Sequence, residues 1–134
     1  MRVDVTLWQE DARYDLDCAQ DMLEHERFNY AVWLSRQAAE KMLKAAYMQV
    51  AGRALPAAHN LVALAQDVAG EIPAEISSNL SFLNPHYTVT RYVDAAVGKP
   101  SDMFDREFAE EAFRRAGEVL EWIESNYLTT LENT

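Results

Sequence analysis

The stretch that decides the fold is residues 28–51, which read FNYAVWLSRQAAEKMLKAAYMQVA. Apolar side chains recur there at helical spacing along two lines, and this is the pattern of a helix that is buried on two sides. The first line holds Phe28, Val32, Ala39, Met42, Ala46 and Val50, and the second holds Ala31, Leu34, Ala38, Ala45 and Met48. A helix with two apolar sides packs against two neighbours, so we expect it to be the central helix of a bundle and to end at Gly52.

The sequence on either side of the central helix predicts four more helical segments. They are residues 5–24 with an acidic outer face, residues 60–69, a helix from Pro73 to Leu83, and a long helix that Ser101 or Asp102 caps and that ends near Tyr127. The Asn84-Pro85 pair ends the third of these, because the residue before a proline avoids the helical conformation. Residues 86–100 read as irregular or short-helical. We therefore predict an all-α fold, an up-down bundle of four to five helices in a single domain spanning residues 1–134.

The composition is that of a protein with its own apolar core. The chain has 134 residues, 49% of them hydrophobic, with four glycines and four prolines. That length buries a core without disulfides or metal staples, and so few turn residues argue against a turn-rich β fold. Its one cysteine, Cys18, cannot form an intramolecular disulfide. Because the sequence shows neither an apolar leader nor about 18 consecutive apolar residues, we expect a soluble cytoplasmic protein without a membrane span.

Signatures of the common catalytic and metal sites are absent from the sequence. The glycines lie too far apart for a phosphate-binding loop. A di-iron bundle needs a glutamate one helical turn before a histidine, whereas Met22, Pro56 and Leu83 stand at that position before the three histidines. One cysteine does not make a structural zinc site. We therefore expect no metal and no cofactor, and we assign no catalytic residue.

The formal charge of −10 is unevenly distributed along the chain. Residues 1–26 carry eight acids and two bases, residues 27–66 five bases and one acid, and residues 67–134 thirteen acids and five bases, for net charges of −6, +4 and −8. The basic part centres on the buried helix, where Lys41 and Lys44 lie on one side. Glu40 and Lys44 have the spacing of a simple surface ion pair, and the alternative is a groove or interface that both lysines line. An acidic exterior excludes extended duplex DNA, but a focused basic cleft admits a small anionic ligand or one strand end.

Three motifs occur in an order that is typical of one family. Residues 37–45 read QAAEKMLKA, His59-Asn60-Leu61 and Leu64 follow, and Tyr87-x-x-x-Arg91-Tyr92 comes later, with Ala12-x-x-Asp15-Leu16-x-x-Ala19 upstream. These motifs cover almost the whole chain, and the sequence resembles the HEPN domain. The resemblance implies a helical bundle that forms homodimers and binds nucleotides or RNA. It also implies a small nucleotidyltransferase, encoded beside it, as the partner in a toxin–antitoxin pair.

The sequence departs from the family at the position where activity would reside. The resemblance implies that an active ribonuclease of this family carries a histidine a few residues after an arginine, near the dimer interface. Residues 92–98 after Arg91 contain no histidine, and His86 precedes the arginine instead. Acid–base cleavage of RNA needs a group that exchanges a proton near neutral pH, so binding is favoured over cleavage.

Seven residues are candidates for the binding site. We expect contacts to a nucleotide or RNA end from Lys41, Lys44, Tyr87, Arg91 and Tyr92, with His59 and His86 as weaker candidates. The cations would neutralise phosphate and a tyrosine would stack on a base. Simpler interpretations stay open: an ion pair between Arg91 and Asp94, tyrosines that belong to the core, and His59 as a helix cap. Two other functions also stay open, a metal-independent ribonuclease with a non-standard histidine and a protein-interaction adaptor that binds no nucleotide.

Overall fold

The protein is a bundle of α-helices. A computed structural model describes residues 3–52, 60–87, 90–92 and 98–128. Its helices are α1 (Val3–Glu24), α2 (Phe28–Ala51), α3 (Leu61–Ala69), α4 (Ala74–Leu83) and α5 (Arg106–Tyr127), with a short 3-10 helix at Pro100–Asp102. No strand occurs within these ranges, so the all-α fold and the bundle of four to five helices are confirmed. The predicted connection at residues 54–58, His59 and the tail from Thr129 lie outside the described residues.

Helix α2 is the centre of the bundle. It packs most extensively on α1 and α5, and it also contacts α3. Both predicted apolar lines are buried along most of its length, including Val32, Ala38 and Met42, which are fully inaccessible. Val50 is an exception with 51% of its surface exposed, because it lies in the last turn of α2. The prediction of a central helix that ends at Gly52 is confirmed, and Gly52 has the left-handed conformation that favours glycine (φ 66°).

The last long helix begins later than the sequence predicts. Asp105 caps α5, since its carboxylate accepts a hydrogen bond from the backbone N–H of Phe108 at 2.8 Å. Ser101 and Asp102 lie inside the 3-10 helix instead, so the prediction that one of them is the cap is wrong. The physical reason is that a cap residue needs an extended backbone, which Asp105 has and which residues within a 3-10 turn do not.

Asn84 joins three helices at the end of α4. Its side-chain oxygen accepts a hydrogen bond from the backbone N–H of Leu61, the first residue of α3, at 2.9 Å. Its carbonyl accepts a bond from Arg36 Nε on α2 at 3.3 Å. In the segment after α4, the carbonyl of Thr90 accepts a hydrogen bond from the buried Asn29 side chain of α2 at 2.9 Å. These bonds fix the segment after α4 to the N-terminal half of α2.

In the part of the chain that the structure describes, no helix is both long enough and apolar enough to cross a membrane.

Candidate functional site

Arg91 lies among three aromatic rings. Its guanidinium carbon is 4.7 Å from the centroid of Trp33, 4.9 Å from that of Tyr92 and 5.2 Å from that of Tyr87. Each of these three distances is within the range of a cation–π contact. The Nε and Nη2 of Arg91 also both donate to the Tyr87 carbonyl, at 3.3 and 2.9 Å. We call these four residues, Trp33, Tyr87, Arg91 and Tyr92, the Arg91 cluster.

The Arg91 cluster is built on the central helix. Trp33 belongs to α2, and Arg36 lies one turn farther along the same face, with its guanidinium carbon 5.0 Å from the Tyr87 centroid. The Tyr87 ring therefore contacts two guanidinium groups. Arg36 is 1% exposed, so it is a fixed part of the core and not a mobile surface cation. Arg91 therefore packs on Trp33 of α2 and on Tyr87, which itself contacts the buried Arg36 of α2.

Arg91 is the cation of the cluster, and it has no carboxylate partner among the described residues. The buried Arg36 pairs with Glu40 at 2.7 Å. Among the described cations, only Arg27 and Arg91 have no carboxylate within ion-pair distance. Asp94, the partner that the sequence suggested for Arg91, lies outside the described residues. Tyr92 is 50% exposed, so the cluster is open to solvent on that side.

Lys41 connects α2 to α1. Its Nζ lies 2.6 Å from Asp11 Oδ2 and 2.8 Å from Asp15 Oδ2. Burial alone would lower the pKa of Lys41, but its hydrogen bonds to the two carboxylates outweigh burial and raise that pKa. Burial in turn raises the pKa of Asp15, and the nearby lysine opposes that shift in part. A phosphate would have to compete with both carboxylates for Lys41.

Lys44 pairs within α2. Its Nζ lies 3.1 Å from Glu40 Oε2 and 5.8 Å from the centroid of Trp8. This is the ion pair that the spacing of the two residues suggested, but Glu40 is only 4% exposed and also holds Arg36. The structure thus brings Tyr87, Arg91 and Tyr92 together, whereas Lys41 is engaged by carboxylates of α1 and Lys44 by Glu40 of α2.

His86 packs among phenylalanine rings. Its ring makes edge contacts with Phe108 at 5.3 Å, Phe104 at 5.6 Å and Phe82 at 6.2 Å. Burial lowers the pKa of His86, and the positive charge of Arg36 lowers it further. A neutral histidine within an aromatic cluster is poorly suited to serve as the partner of Arg91 in acid–base chemistry. The other weaker candidate, His59, is outside the residues that the structure covers.

Trp33 and Arg36 were missed as site residues at the sequence level. The helical spacing carried a signal, since Trp33, Arg36, Glu40 and Lys44 follow one another at intervals of one turn along α2. The contacts of Trp33 with Arg91 and of Arg36 with Tyr87 are tertiary, and residue spacing along one helix does not reveal them. The tryptophan at the start of that row is the residue that holds Arg91 on the helix.

The motifs and the fold both match those of known proteins. A profile of the HEPN domain matches residues 5–126. The chain belongs to the HEPN domain family. The resemblance that the motifs suggested is therefore confirmed.

Two solved structures resemble this HEPN domain over nearly its whole length. TT1696 from Thermus thermophilus is 28% identical with a TM-score of 0.83, covering 92% of this chain and 98% of its own. ST0689, described as an archaeal HEPN homologue, is also 28% identical with a TM-score of 0.78, covering 95% and 99%. No curated protein matches significantly.

Proposed function

We propose that this HEPN domain binds a nucleotide or an RNA end at the Arg91 cluster and does not cleave it. The observation that carries the proposal is the position of Arg91, a cation with no described carboxylate partner that is held among three aromatic rings. Guanidinium has a planar donor fork that matches phosphate, and it keeps its charge at any physiological pH. The half-exposed ring of Tyr92 offers a face on which a base can stack.

Recognition without chemistry agrees with the surroundings of Arg91. Cleavage of RNA requires a proton-exchanging group beside the cation. His86 is buried in an aromatic cluster with a lowered pKa, and residues 92–98 after Arg91 contain no histidine. The ribonuclease alternative is therefore retained only as an outcome of the test below.

Lys41 and Lys44 belong to the proposal in a secondary role. Both are held by carboxylates, and exchanging these for a phosphate requires breaking existing ion pairs. Arg91 has no such competitor among the described side chains. The proposal accordingly predicts a larger effect from Arg91 than from either lysine.

Family membership supports the remaining parts of the proposal. The protein acts in the cytoplasm as a homodimer, and it is the HEPN component of a toxin–antitoxin type system with a small nucleotidyltransferase. In such a system, the HEPN domain binds a nucleotide or RNA end and its partner transfers nucleotides, so both proteins act on the same class of molecule. A pure protein adaptor would form the same complex without any ligand at Arg91.

A thermal-shift screen tests the binding proposal. The purified protein is heated with adenosine, guanosine, cytidine and uridine monophosphates and with short single-stranded RNAs, at about 50 mM and about 200 mM salt. A ligand that binds only the folded state raises the melting temperature, and a ligand at about 100 times its Kd contributes about 2.7 kcal/mol. We expect a rise that weakens with salt and is absent from Arg91→Ala. No rise for any probe would favour the adaptor.

The same samples distinguish binding from cleavage. RNA incubated with the protein is analysed by gel electrophoresis next to RNA incubated in buffer. We expect identical patterns. Cleavage that His86→Ala abolishes would replace the binding proposal with the ribonuclease alternative.

A further inference from the structure

The outward face of α1 carries large apolar side chains where a surface helix ordinarily carries charge. Val3 is 77% exposed, Leu7 59% and Tyr14 65%. At 3.6 residues per turn these three positions fall within about 40° of one another around the helix axis. The buried residues of α1, among them Ala12 and Leu16, lie on the opposite side. We call Val3, Leu7 and Tyr14 the α1 stripe.

A surface cavity adjoins the α1 stripe. It has a volume of about 370 Å³ and is lined by Leu7, Trp8, Asp11 and Lys41, so it lies in the seam between α1 and α2. Leu7 belongs to both features. An apolar stripe beside a groove with an aromatic wall is the arrangement that receives the apolar face of a helix.

A row of carboxylates flanks the stripe. Glu10, Asp17, Asp21 and Glu24 are exposed and fall within about the next 60° around the axis. No described cation lies within ion-pair distance of these four. Arg13, on the adjoining side of α1, pairs with Glu124 instead. Among the described residues, the flank therefore carries four carboxylates without a cationic partner along about four turns of helix.

A second copy of this chain fits the α1 face poorly. Two copies of α1 would bring their acidic flanks together, and like charges in contact are unfavourable. Of the cations that the structure describes, only Arg27 and Arg91 are free of carboxylate partners. These two do not form a basic row that could match four carboxylates.

We propose that the α1 stripe and its acidic flank dock a basic amphipathic helix of a different protein. The apolar face of that helix would cover Leu7 and Tyr14 and enter the groove beside Trp8. Its lysines or arginines would lie along Asp17 and Asp21. This inference does not rest on the Arg91 cluster, since the surface and its partner chemistry are separate from the ligand site.

A designed peptide tests the α1 surface directly. The probe is a labelled helical peptide of about 18 residues with leucines on one face and lysines beside them, and the comparison is a scrambled peptide of identical composition and charge. Binding is followed by fluorescence anisotropy. We expect the amphipathic peptide to bind about tenfold or more tightly than the scrambled one, because only the former matches the stripe. Equal affinity would show mere charge attraction and overturn the proposal.

Matched variants locate the binding. Leu7→Ser and Tyr14→Ser should each weaken the amphipathic peptide about fivefold or more, whereas Met103→Ser, a change at another exposed apolar residue, should leave its affinity unchanged. Asp17→Asn with Asp21→Asn should reduce the salt dependence, and Asp67→Asn on α3 should not. Unchanged binding in Leu7→Ser would contradict the proposal.

The oligomeric state supplies the last arm of the test. Analytical ultracentrifugation of the parent and of Leu7→Ser should give the same state. A dimer that becomes a monomer in Leu7→Ser would assign the α1 face to a second copy of the chain and overturn the proposal of a different partner. A loss of nucleotide binding at Arg91 would leave this result unaffected, so the two proposals fail independently.

Discussion

The guanidinium carbon of Arg91 lies 4.7 Å from the centroid of the Trp33 ring, which places a cation of the segment after α4 on the central helix. The contact joins the most buried helix of the bundle to its most irregular described segment. Because Trp33 is anchored in α2, Arg91 does not depend on the segment alone for its position. A phosphate that approached Arg91 would meet a cation whose stacking is already formed.

Tyr92 is the half-exposed aromatic ring of the Arg91 cluster. Tyr92→Ala should weaken nucleotide or RNA binding about tenfold, since base–aromatic stacking contributes about 1–3 kcal/mol per base. Tyr92→Phe should retain most of the affinity because the ring remains. Tyr14→Ala, at another exposed tyrosine, is the matched control. Calorimetric titration measures all three, and an unchanged Kd in Tyr92→Ala would remove the stacking role.

Asn84 should contribute to stability through its hydrogen bond to the start of α3. Asn84→Ala removes the acceptor of the Leu61 N–H, and we expect the free energy of unfolding to fall by about 1–2 kcal/mol. Asn84→Asp keeps an acceptor at this position and should cost less. The cap residue Asn60 offers a comparison, because its side chain accepts a bond from Ala63 N–H at an exposed site. Urea unfolding measures the difference, and a loss below that of Asn60→Ala would contradict the joint role.

Removing one partner of the buried ion pair between Arg36 and Glu40 should lower the free energy of unfolding strongly. Glu40→Leu leaves the guanidinium of Arg36 without its carboxylate at a site that is 1% exposed. We expect a loss of about 3–5 kcal/mol in the free energy of unfolding. The double variant Arg36→Met with Glu40→Leu should be markedly more stable than Glu40→Leu alone. If the double variant is no more stable than the single one, the charge of Arg36 is not the cause.

His86 should make stability depend on pH. Burial lowers its pKa in the folded protein, so below the ordinary value of about 6.5 the unfolded chain binds a proton that the folded protein resists. The free energy of unfolding should therefore fall as the pH decreases through about 6.5, and this loss should stop below the lowered pKa of the folded state. His86→Phe keeps an aromatic ring and removes the titration.

Comparison of variants isolates the contribution of His86 from that of other groups. Urea unfolding of the parent, His86→Phe and His25→Gln is measured at pH about 7.5 and about 5.5. His25 is exposed and serves as the control. We expect a smaller pH dependence in His86→Phe and an unchanged one in His25→Gln. Equal pH dependence in all three would refute the role of His86.

The fold was predictable because it depends on local patterns. Two apolar lines on residues 28–51 predict a helix that packs on two sides without knowledge of its neighbours. The helix predicted at residues 60–69 begins one residue later, at Leu61, with Asn60 as its cap. The start of α5 was mispredicted because Ser101, Asp102 and Asp105 are all acceptable caps. The choice depends on the 3-10 turn that precedes Phe104, which is buried in the core.

The site was only partly predictable because its pairings are long-range. Arg91 and its two tyrosines are near neighbours in sequence, and their grouping was predicted. The carboxylates that hold Lys41 come from Asp11 and Asp15 on a different helix, and residue spacing gives no information about that contact. The same holds for Trp33, whose distance from Arg91 is set by the packing of the segment on α2.

The central claim is that Arg91 binds the phosphate of a nucleotide or RNA end, and a fluorescence-anisotropy titration of a labelled short single-stranded RNA tests it most directly. The parent protein is compared with Arg91→Ala and with Arg27→Ala, which removes the other described cation that has no carboxylate partner. In Arg91→Ala we expect binding to be weaker by about tenfold or more and the slope of log affinity against log salt concentration to be reduced by about one, with a normal melting temperature. In Arg27→Ala we expect no change in affinity. Equal affinity in the parent and in a folded Arg91→Ala would contradict the claim.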